Sequence, residues 1–304
     1  MNTLELNKVR KSYDKFVAVD DLSFNIKPGT MFGLLGPNGA GKTSTIRMMI
    51  GITYPDSGSV NMFGEPFRRE HLQRVGYLPE ERGLYPKMKV LDQLVFFGEL
   101  HGLTRSDART RANAWGERMD IAPSFGKKNN ELSKGMQQKI QFIATLLHDP
   151  EFIIMDEPAS GLDPVNAKLL EDVLLELNRE GKTILFSSHR MDQVEKLCDS
   201  ICLVNKGKAV LQGDLREIKG RYGRNTVEVA FEDNGNFDPS FLQGNPLVQS
   251  MNLYEGHLHL QLAPGADSQH LLRTVAERSR LNRFEVMAPS LEEIFIDVVG
   301  KANA

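Results

Sequence analysis

The chain has 304 residues, of which 40% are hydrophobic and 25% are charged. This balance is typical of globular proteins and excludes disordered, collagen-like and disulfide-rich classes, and the length predicts about two domains of roughly 150 residues each. The formal net charge of −3 lacks the broad excess of base that is typical of nucleic-acid binders.

The apolar runs and the two cysteines indicate the cellular location and the state of the thiols. No apolar run approaches the ~20 residues that a membrane-spanning helix needs, and the first residues carry no apolar signal-peptide core. We therefore expect a cytoplasmic chain whose membrane role, if it has one, comes through a partner. Cys198 and Cys202 have no His or Cys cluster beside them, so two reduced, partly buried thiols are a better interpretation than a metal site.

The first two-thirds of the chain reads as an α/β domain. Two alternating segments, LELNKVRKSY and VAVDDLSFNI, predict antiparallel strands. Short apolar runs then alternate with helical patterns, and the runs MFGLLG, FIIMD and TILFSS predict a buried, mostly parallel sheet. Residues 90–120 have no strand signal, which predicts a helical insertion over about residues 86–148.

The sequence changes character after Asp214. The basic, glycine-containing run REIKGRYGRN predicts a linker. Beyond it, TVEVAFE and HLHLQL alternate with period two, and apolar residues from Leu291 follow helical spacing. Ser290 and Glu293 form a capping box at the start of that helix. The tail is therefore predicted to be a small α+β domain.

Two groups in this tail leave alternatives open. His257 and His259 share one strand face and could hold a metal, although the lack of a third ligand favours a solvated face. The basic run could attract phosphate or lipid head groups, although a solvated linker is the simpler interpretation. Its members are Arg216, Lys219, Arg221 and Arg224.

The first candidate functional segment is a glycine-rich loop between an apolar strand and a helix. The loop completes the pattern GxxxxGK[ST]. Its residues, with the one that follows, are Gly36, Pro37, Asn38, Gly39, Ala40, Gly41, Lys42, Thr43 and Ser44. In such a loop backbone N–H groups converge on phosphates, the lysine reaches the β- and γ-phosphates, and the hydroxyl ligates Mg²⁺. We therefore predict ATP and Mg²⁺ as ligands.

Two carboxylates end the later apolar strand FIIMD. Asp156 suits the shell of a magnesium ion, and Glu157 suits orienting or deprotonating an attacking water. An Asp-Glu pair alone would be interpreted as a solvated loop. The phosphate loop on the same chain favours the catalytic interpretation.

Together these motifs resemble those of ABC transporter ATP-binding subunits, over about residues 4–214. Residues 132–138, LSKGMQQ, resemble the signature sequence, and residues 160–163, SGLD, resemble the D-loop. His189 resembles the switch histidine, and Tyr13 stands where the family stacks an aromatic ring on adenine. In isolation, Tyr13 and His189 would be interpreted as an ordinary core-edge tyrosine and surface histidine.

The resemblance implies a P-loop NTPase core in residues 1–220 and an accessory domain in residues 221–304. It also implies a homodimer in which each signature contacts the nucleotide held by the other subunit. The residues implied in that contact are Ser133, Gly135, Gln137 and Asp163. The residues themselves agree, because Ser133 is a natural N-cap whose helix end could hold a phosphate.

Two departures from the family pattern concern the phosphate end of the site. Glu80 occupies the usual glutamine position of the Q-loop; a carboxylate there could still touch Mg²⁺ or water, although it adds negative charge. Lys134 replaces the first signature glycine and Met136 a polar residue, while Ser133 and a closely packed Gly135 are kept. ATPase activity is expected, with Lys42, Glu157 and His189 as its catalytic residues.

The run after Glu80 and the extra C-terminal domain are similar to those of bacterial exporter ATPases that serve ABC-2-type permeases, in the sodium-extrusion and drug- or antibiotic-efflux group. This similarity implies a separate polytopic permease as partner, a position on the inner face of the membrane and no nucleic acid. Two alternatives stay open: a soluble ABC ATPase that acts on nucleic acid or ribosomes, and a nucleotide-binding regulator with little turnover.

Overall fold

The computed structural model describes residues 1–81, 83–222, 226–232, 239–254, 257–287 and 289–303. The chain divides into two compact units, Met1–Asp214 and Leu215–Ala304. Within the described residues, no helix combines the length and the apolar character needed to cross a membrane.

A six-stranded sheet forms the centre of the first unit. Numbered in chain order, its strands are β3 Met31–Leu35, β6 Val75–Leu78, β7 Phe152–Asp156, β8 Thr183–Ser188, β9 Ser200–Asn205 and β10 Lys208–Asp214. They lie in the order β10-β9-β3-β8-β7-β6, and all neighbours are parallel except β10 and β9. Every residue of β3, β7 and β8 is buried, as expected for strands with both faces covered. The predicted, mostly parallel sheet is confirmed.

The predicted antiparallel strands belong to a second sheet of four strands in the order β2-β1-β4-β5. They are β1 Leu4–Tyr13, β2 Phe16–Ile26, β4 Ser57–Met62 and β5 Glu65–Pro66. One hydrophobic core joins both sheets through helix α1 (Lys42–Met49) and contains Leu4, Ile46 and Phe152. This shared core holds the N-terminal hairpin beside the loop that precedes α1.

The helical insertion lies between β6 and β7. It contains α2 (Val90–Leu100), α3 (Arg105–Arg118) and α4 (Lys134–Leu146). Ser133 caps α4 as predicted, because its hydroxyl accepts a hydrogen bond from the backbone N–H of Met136. The remaining helices of this unit are α5 (Pro164–Arg179) and α6 (Met191–Leu197).

The second unit packs helices on an antiparallel sheet of order β12-β13-β11-β14. Its strands are β11 Thr226–Phe231, β12 Val248–Tyr254, β13 His257–Leu262 and β14 Leu281–Met287, and its helices are α7 Leu215–Arg221, α8 Ser268–Ala276 and α9 Leu291–Asn303. The capping box at α9 is confirmed: the backbone N–H of Ser290 donates to Glu293, and that of Glu293 donates to the Ser290 hydroxyl.

The linker predicted after Asp214 is wrong where the structure describes it, because those residues form α7. Leu215 and Ile218 are buried, since their spacing puts both on one helix face. This short apolar signal is hidden among basic residues, of which Arg221 pairs with Glu217. Arg224 lies outside the described residues, and the boundary between residues 220 and 221 stays a prediction.

The histidine pair of β13 is less solvated than expected. His257 and His259 are only partly exposed, and both rings contact Tyr254. His259 also lies 3.4 Å from a carboxylate oxygen of Glu228. Among the described residues no group of three His, Cys, Asp or Glu side chains could hold a metal ion.

Candidate functional site

The first unit has a cleft of about 570 Å³ at the carboxyl edge of the parallel sheet. This edge is where parallel α/β sheets bind ligands, because loops and helix N-termini converge there. The cleft is lined by most of the predicted site residues: Tyr13, Asn38, Gly39, Ala40, Gly41, Lys42, Thr43, Ser44, Glu80, Asp156, Glu157 and His189. Phe16, Ala18 and Ser160 also line it, although the sequence did not assign them to the site.

The glycine-rich loop runs from β3 to α1, and two of its glycines touch neighbouring backbone. Gly36 has φ 148° and Gly41 has φ 108°, a region that favours glycine. A Cβ atom would lie 2.1 Å from the Val204 carbonyl oxygen at Gly36 and 2.3 Å from that of Ala18 at Gly41. The loop therefore needs glycine at both positions, and its backbone N–H groups remain at the start of α1, where they suit a phosphate.

Lys42, the first residue of α1, is almost entirely buried at the loop. Its ammonium donates to the Gly36 carbonyl at 2.7 Å and to the Pro37 carbonyl at 3.4 Å. It also lies 3.7 Å from a Glu157 carboxylate oxygen. Pro37 and Gly36 thus hold the lysine even though neither lines the cleft.

Asp156 ends β7 with only 1% of its surface exposed. The Thr43 hydroxyl donates to one carboxylate oxygen at 2.9 Å, and the Ser187 hydroxyl donates to the other. Burial, followed by the negative charge of Asp156, raises the pKa of nearby Tyr77 to about 12. A buried carboxylate beside a threonine hydroxyl is a donor set that Mg²⁺ prefers.

Glu157 follows directly and turns away from the strand, with a φ of 50°. Its backbone N–H donates to the Ser187 carbonyl oxygen at 3.2 Å, and its side chain lies 3.0 Å from Nδ1 of His189. Because a carboxylate accepts, His189 presents an N–H at Nδ1. Glu157 is thus held between an imidazole and the Lys42 ammonium, where it could orient a water.

Two aromatic residues flank the loop from the β1–β2 hairpin. Tyr13 and Phe16 are paired across the strands, and 38% of the tyrosine and 62% of the phenylalanine surface are exposed. Exposed ring faces beside a phosphate cradle suit a nucleobase. The sequence predicted Tyr13 alone, although a two-residue turn between the aromatics was a signal for the second.

The four residues assigned to a partner's nucleotide do not line this cleft. Gln137 donates to the Asn129 and Leu132 carbonyls. Asp163 caps α5 by accepting from the N–H groups of Val165 and Asn166, and the Asn166 hydrogen bonds lower the pKa of Asp163.

Ser133 is exposed at the start of α4, close in sequence to Gly135. The expectation that Gly135 is closely packed is wrong within this chain, because a Cβ atom there would have only Leu162 within 4 Å, at 3.7 Å. Packing inside one subunit therefore does not require this glycine.

Neither cysteine takes part in the site. Cys198 and Cys202 are free and buried, more completely than predicted. Burial raises the pKa of both thiols, that of Cys202 to about 12. They are therefore protonated and unreactive at neutral pH.

The glycine loop, the parallel strands and the carboxylates at their ends define a P-loop NTPase with the fold of an ABC cassette. A solved structure described as an ATP-binding subunit of an ABC transporter has the same fold, with a TM-score of 0.67 and 28% identity over 73% of this chain and 93% of that one. A family model described as ABC transporter matches residues 19–160, and one for the C-terminal domain of DrrA1-3-like ATP-binding proteins matches residues 213–299.

Three relatives match nearly the full length of the chain. The uncharacterized ABC transporter ATP-binding protein YhaQ of Bacillus subtilis (strain 168) is 44% identical over 98% of both chains. The linearmycin resistance ATP-binding protein LnrL of the same strain is 32% identical over 98% of both. The Nod factor export ATP-binding protein I of Paraburkholderia xenovorans (strain LB400) is 34% identical over 98% of this chain and 97% of its own.

The chain therefore belongs to the ABC transporter ATP-binding proteins. It is an ATP-binding ATPase subunit of a transporter, and ATPase subunits of this family work with membrane permease components.

Proposed function

We propose that the chain hydrolyses Mg²⁺-ATP as a homodimer and powers a separate polytopic permease that exports its substrate. The observation that carries this proposal is the cleft itself. Lys42, Thr43, Asp156, Glu157 and His189 converge there, and each has the chemistry that one part of phosphoryl transfer requires.

The phosphate loop and Lys42 bind the phosphates. The carbonyls of Gly36 and Pro37 hold the ammonium in place, and a buried cation beside the β- and γ-phosphates offsets the charge that develops during transfer. Asn38, Gly39, Ala40, Gly41 and Ser44 contribute the rest of the cradle, and Tyr13 and Phe16 stack on the adenine.

Thr43 and Asp156 fit a magnesium ion, because a hydroxyl and a carboxylate already meet at 2.9 Å and both are oxygen ligands. A magnesium ion held by these two residues would supply positive charge that offsets the charge of the phosphates. Glu80 is exposed and lines the same cleft, where its carboxylate could contact the ion or a water.

Glu157 acts as the base or orienting group for the attacking water, and His189 positions it. The Glu157 side chain is 12% exposed and the His189 side chain 53% exposed. The carboxylate is therefore mostly buried, whereas the imidazole ring is accessible to solvent or to a second subunit. That placement suits a histidine that responds to closure of a dimer.

A dimer is proposed because Ser133, exposed at the start of α4, does not line the cleft of its own chain. Each chain has one phosphate loop and one signature. In a two-fold symmetric dimer the phosphate loop of each subunit would meet the signature of the other, so both nucleotide sites would be completed together. Ser133, Gly135, Gln137 and Asp163 would then contact the nucleotide of the other subunit.

Export is proposed from the full-length similarity to linearmycin resistance and Nod factor export proteins, and the proposed cargo is an ion, a drug or an antibiotic. The chain would lie in the cytoplasm, on the inner membrane face, through its permease. No nucleic acid is expected, since the net charge is −3.

Steady-state ATP hydrolysis by the purified chain tests the catalytic part. Turnover that requires Mg²⁺ and falls at least about 100-fold in Lys42→Ala is expected. The matched control is Lys168→Ala, which removes an exposed lysine paired with Asp172 on α5. Hydrolysis that survives Lys42→Ala, or a wild-type chain without turnover, would contradict the proposal. Co-purification with a polytopic membrane protein rather than with RNA tests the partner.

A further inference from the structure

Ser187 lies in the centre of the parallel sheet, directly beside the two carboxylates of the site. Its strand β8 lies between β3 and β7, and Ser187 pairs with Leu34 on one side and with Asp156 on the other. The residue is fully buried, and it does not line the nucleotide cleft. Any part that Ser187 takes in hydrolysis therefore acts through the residues that it contacts.

The hydroxyl of Ser187 makes two hydrogen bonds, one as a donor and one as an acceptor. It donates to Oδ1 of Asp156, and it accepts from the backbone N–H of Glu157 at 3.3 Å. The same N–H also donates to the Ser187 carbonyl oxygen at 3.2 Å. Because a serine hydroxyl has one hydrogen and two lone pairs, a single side chain can hold both residues at once.

Asp156 has a hydroxyl donor on each of its carboxylate oxygens. Ser187 donates to Oδ1, and the Thr43 hydroxyl donates to Oδ2 at 2.9 Å. The terminal torsion of an aspartate is otherwise broad, so the two hydrogen bonds together define the plane of the carboxylate. Since the Thr43 hydrogen is directed at Asp156, the lone pairs of its oxygen remain available to a metal ion. Ser187 thus fixes the pair of groups that suits magnesium.

The second contact of Ser187 is with a backbone that turns sharply. Glu157 has a φ of 50°, a left-handed conformation that is uncommon for residues with a side chain and persists only where the surroundings hold it. Ser187 supplies two acceptors for the N–H of this residue. One residue further on, the buried side chain of Gln138 donates to the Pro158 carbonyl at 3.2 Å. The turn at Glu157 is therefore held both at its start and at its end.

We propose that Ser187 is a positioning residue for ATP hydrolysis, because its hydroxyl orients the Asp156 carboxylate for the metal ion and supports the turn at Glu157. Partners that hydrogen-bond to a ligating carboxylate typically contribute about 10–100-fold to metal affinity or activity. The inference rests on the proposed function for the roles of Asp156 and Glu157. It adds to them a buried residue that acts only through its neighbours.

Ser187→Ala removes the hydroxyl and tests its contribution. Turnover should fall about tenfold or more, and the Mg²⁺ concentration that gives half of the maximal rate should rise. Affinity for ATP in the absence of metal should stay the same, because the phosphate loop is unchanged. Parent-like turnover together with parent-like dependence on Mg²⁺ would overturn the proposal.

The matched control is Thr183→Val on the same strand. Thr183 is also buried, its hydroxyl accepts from the backbone N–H of Gly29 at 3.0 Å, and it lies at the opposite end of β8. Both variants lose a buried hydroxyl and should unfold at a lower concentration of urea. If Thr183→Val lowers turnover and shifts the Mg²⁺ dependence as much as Ser187→Ala does, the effect is one of stability and the proposal fails.

Two further substitutions separate hydrogen bonding from packing. Ser187→Cys has nearly the volume of the parent but only a weak S–H donor, so it should behave like Ser187→Ala. Ser187→Thr keeps the hydroxyl and adds a methyl group, which overpacks a fully buried position. Higher turnover in Ser187→Thr than in Ser187→Cys is expected if the hydroxyl decides. Parent-like turnover in Ser187→Cys, with a loss in Ser187→Thr, would show that volume decides and would overturn the proposal.

Metal binding without hydrolysis supplies an independent measurement. Mn²⁺ is titrated into the full chain with one equivalent of a non-hydrolysable ATP analogue, and electron paramagnetic resonance measures the free ion. The affinity for Mn²⁺ should fall about tenfold in Ser187→Ala and should not change in Thr183→Val. If the parent chain neither hydrolyses ATP nor binds Mn²⁺ with the analogue, the proposed function fails. If the parent does both and Ser187→Ala binds Mn²⁺ equally well, only the inference about Ser187 fails.

Discussion

Glu157 and His189 meet across two neighbouring parallel strands, with Oε1 of the glutamate 3.0 Å from Nδ1 of the histidine. The contact follows from register, because Asp156 pairs with Ser187 and the two residues are the first beyond β7 and β8. The carboxylate accepts a hydrogen bond from the imidazole, which fixes an N–H at Nδ1. This hydrogen bond therefore orients the pair.

Glu157→Gln should abolish most hydrolysis while sparing nucleotide binding. Glutamine keeps the shape and a hydrogen bond to His189 but cannot accept the proton of the attacking water, and general-base catalysis contributes about 10²–10⁴-fold. We expect turnover to fall by about that factor and an ATP-bound dimer to accumulate on sizing chromatography with Mg²⁺. Glu180→Gln, at the exposed end of α5, is the control.

A Glu157→Gln chain that stays monomeric with ATP would argue against the shared-site dimer. Unchanged turnover would instead assign the base to another group, such as Glu80. Sizing chromatography thus reports on dimerisation, and the turnover rate reports on hydrolysis.

The core of the site could be predicted because its signals are local in sequence. The glycine loop needs particular residues at fixed spacing, and two of its glycines occupy backbone angles and close contacts that other residues cannot adopt. Asp156 and Glu157 were recognisable because an apolar run ends at them, and the carboxyl ends of buried parallel strands meet at one edge.

Other features depend on which strands are adjacent and in which register, and the sequence alone does not show this. Ser187 reaches Asp156 only because β7 and β8 are adjacent and in that register. Phe16 joins Tyr13 through the hairpin. Helix α7 was missed because two apolar residues among basic ones resemble a linker, and the sequence does not show that Leu215 and Ile218 are buried.

Phe16→Ala should weaken ATP binding about tenfold. Stacking of a base on an aromatic side chain contributes roughly 1–3 kcal/mol, and Phe16 is a largely exposed ring that lines the cleft. Tyr54→Ala removes another exposed ring outside the cleft and should have no effect. Equilibrium binding of ATP and of inorganic triphosphate distinguishes a loss of base stacking from a loss of phosphate binding, because the affinity for triphosphate should not change.

Ser133→Asp should block dimerisation without loss of stability. Aspartate caps a helix as well as serine does, so α4 should stay intact, but its charge would oppose a phosphate approaching that helix end. Thr104→Asp makes the matched change at the N-cap of α3 and should leave dimerisation unchanged. Ser133→Asp should unfold in urea like the parent, whereas Thr104→Asp should be less stable because the Thr104 hydroxyl donates to the Asp107 carboxylate. Glu157→Gln supplies a background in which the dimer is measured.

In a mixture of Ser133→Asp and Lys42→Ala chains, each mixed dimer retains one intact composite site. Partial hydrolysis in the mixture, with none in either chain alone, would support sites shared between subunits. If Ser133→Asp dimerises with ATP like its parent, the signature end of α4 does not face a phosphate.

His148 should make the stability of the first unit fall as the solution is acidified. Burial, followed by repulsion from His101, lowers the pKa of His148 from 6.5 to about 4 in the folded protein. Between those values the unfolded chain binds the proton more readily, so stability is complete above pH 6.5 and is lost as the pH falls towards 4. At pH 5 the loss is about 1–2 kcal/mol, after allowing for a ring that is partly exposed.

Urea unfolding at pH 7.5 and pH 5 measures the loss of stability, and a nuclear magnetic resonance titration of the His148 ring measures its pKa. His148→Gln should remove this part of the pH dependence, whereas His270→Gln, at an exposed position on α8, should leave it in place. A His148 ring that titrates near 6.5 would show that it is not held neutral.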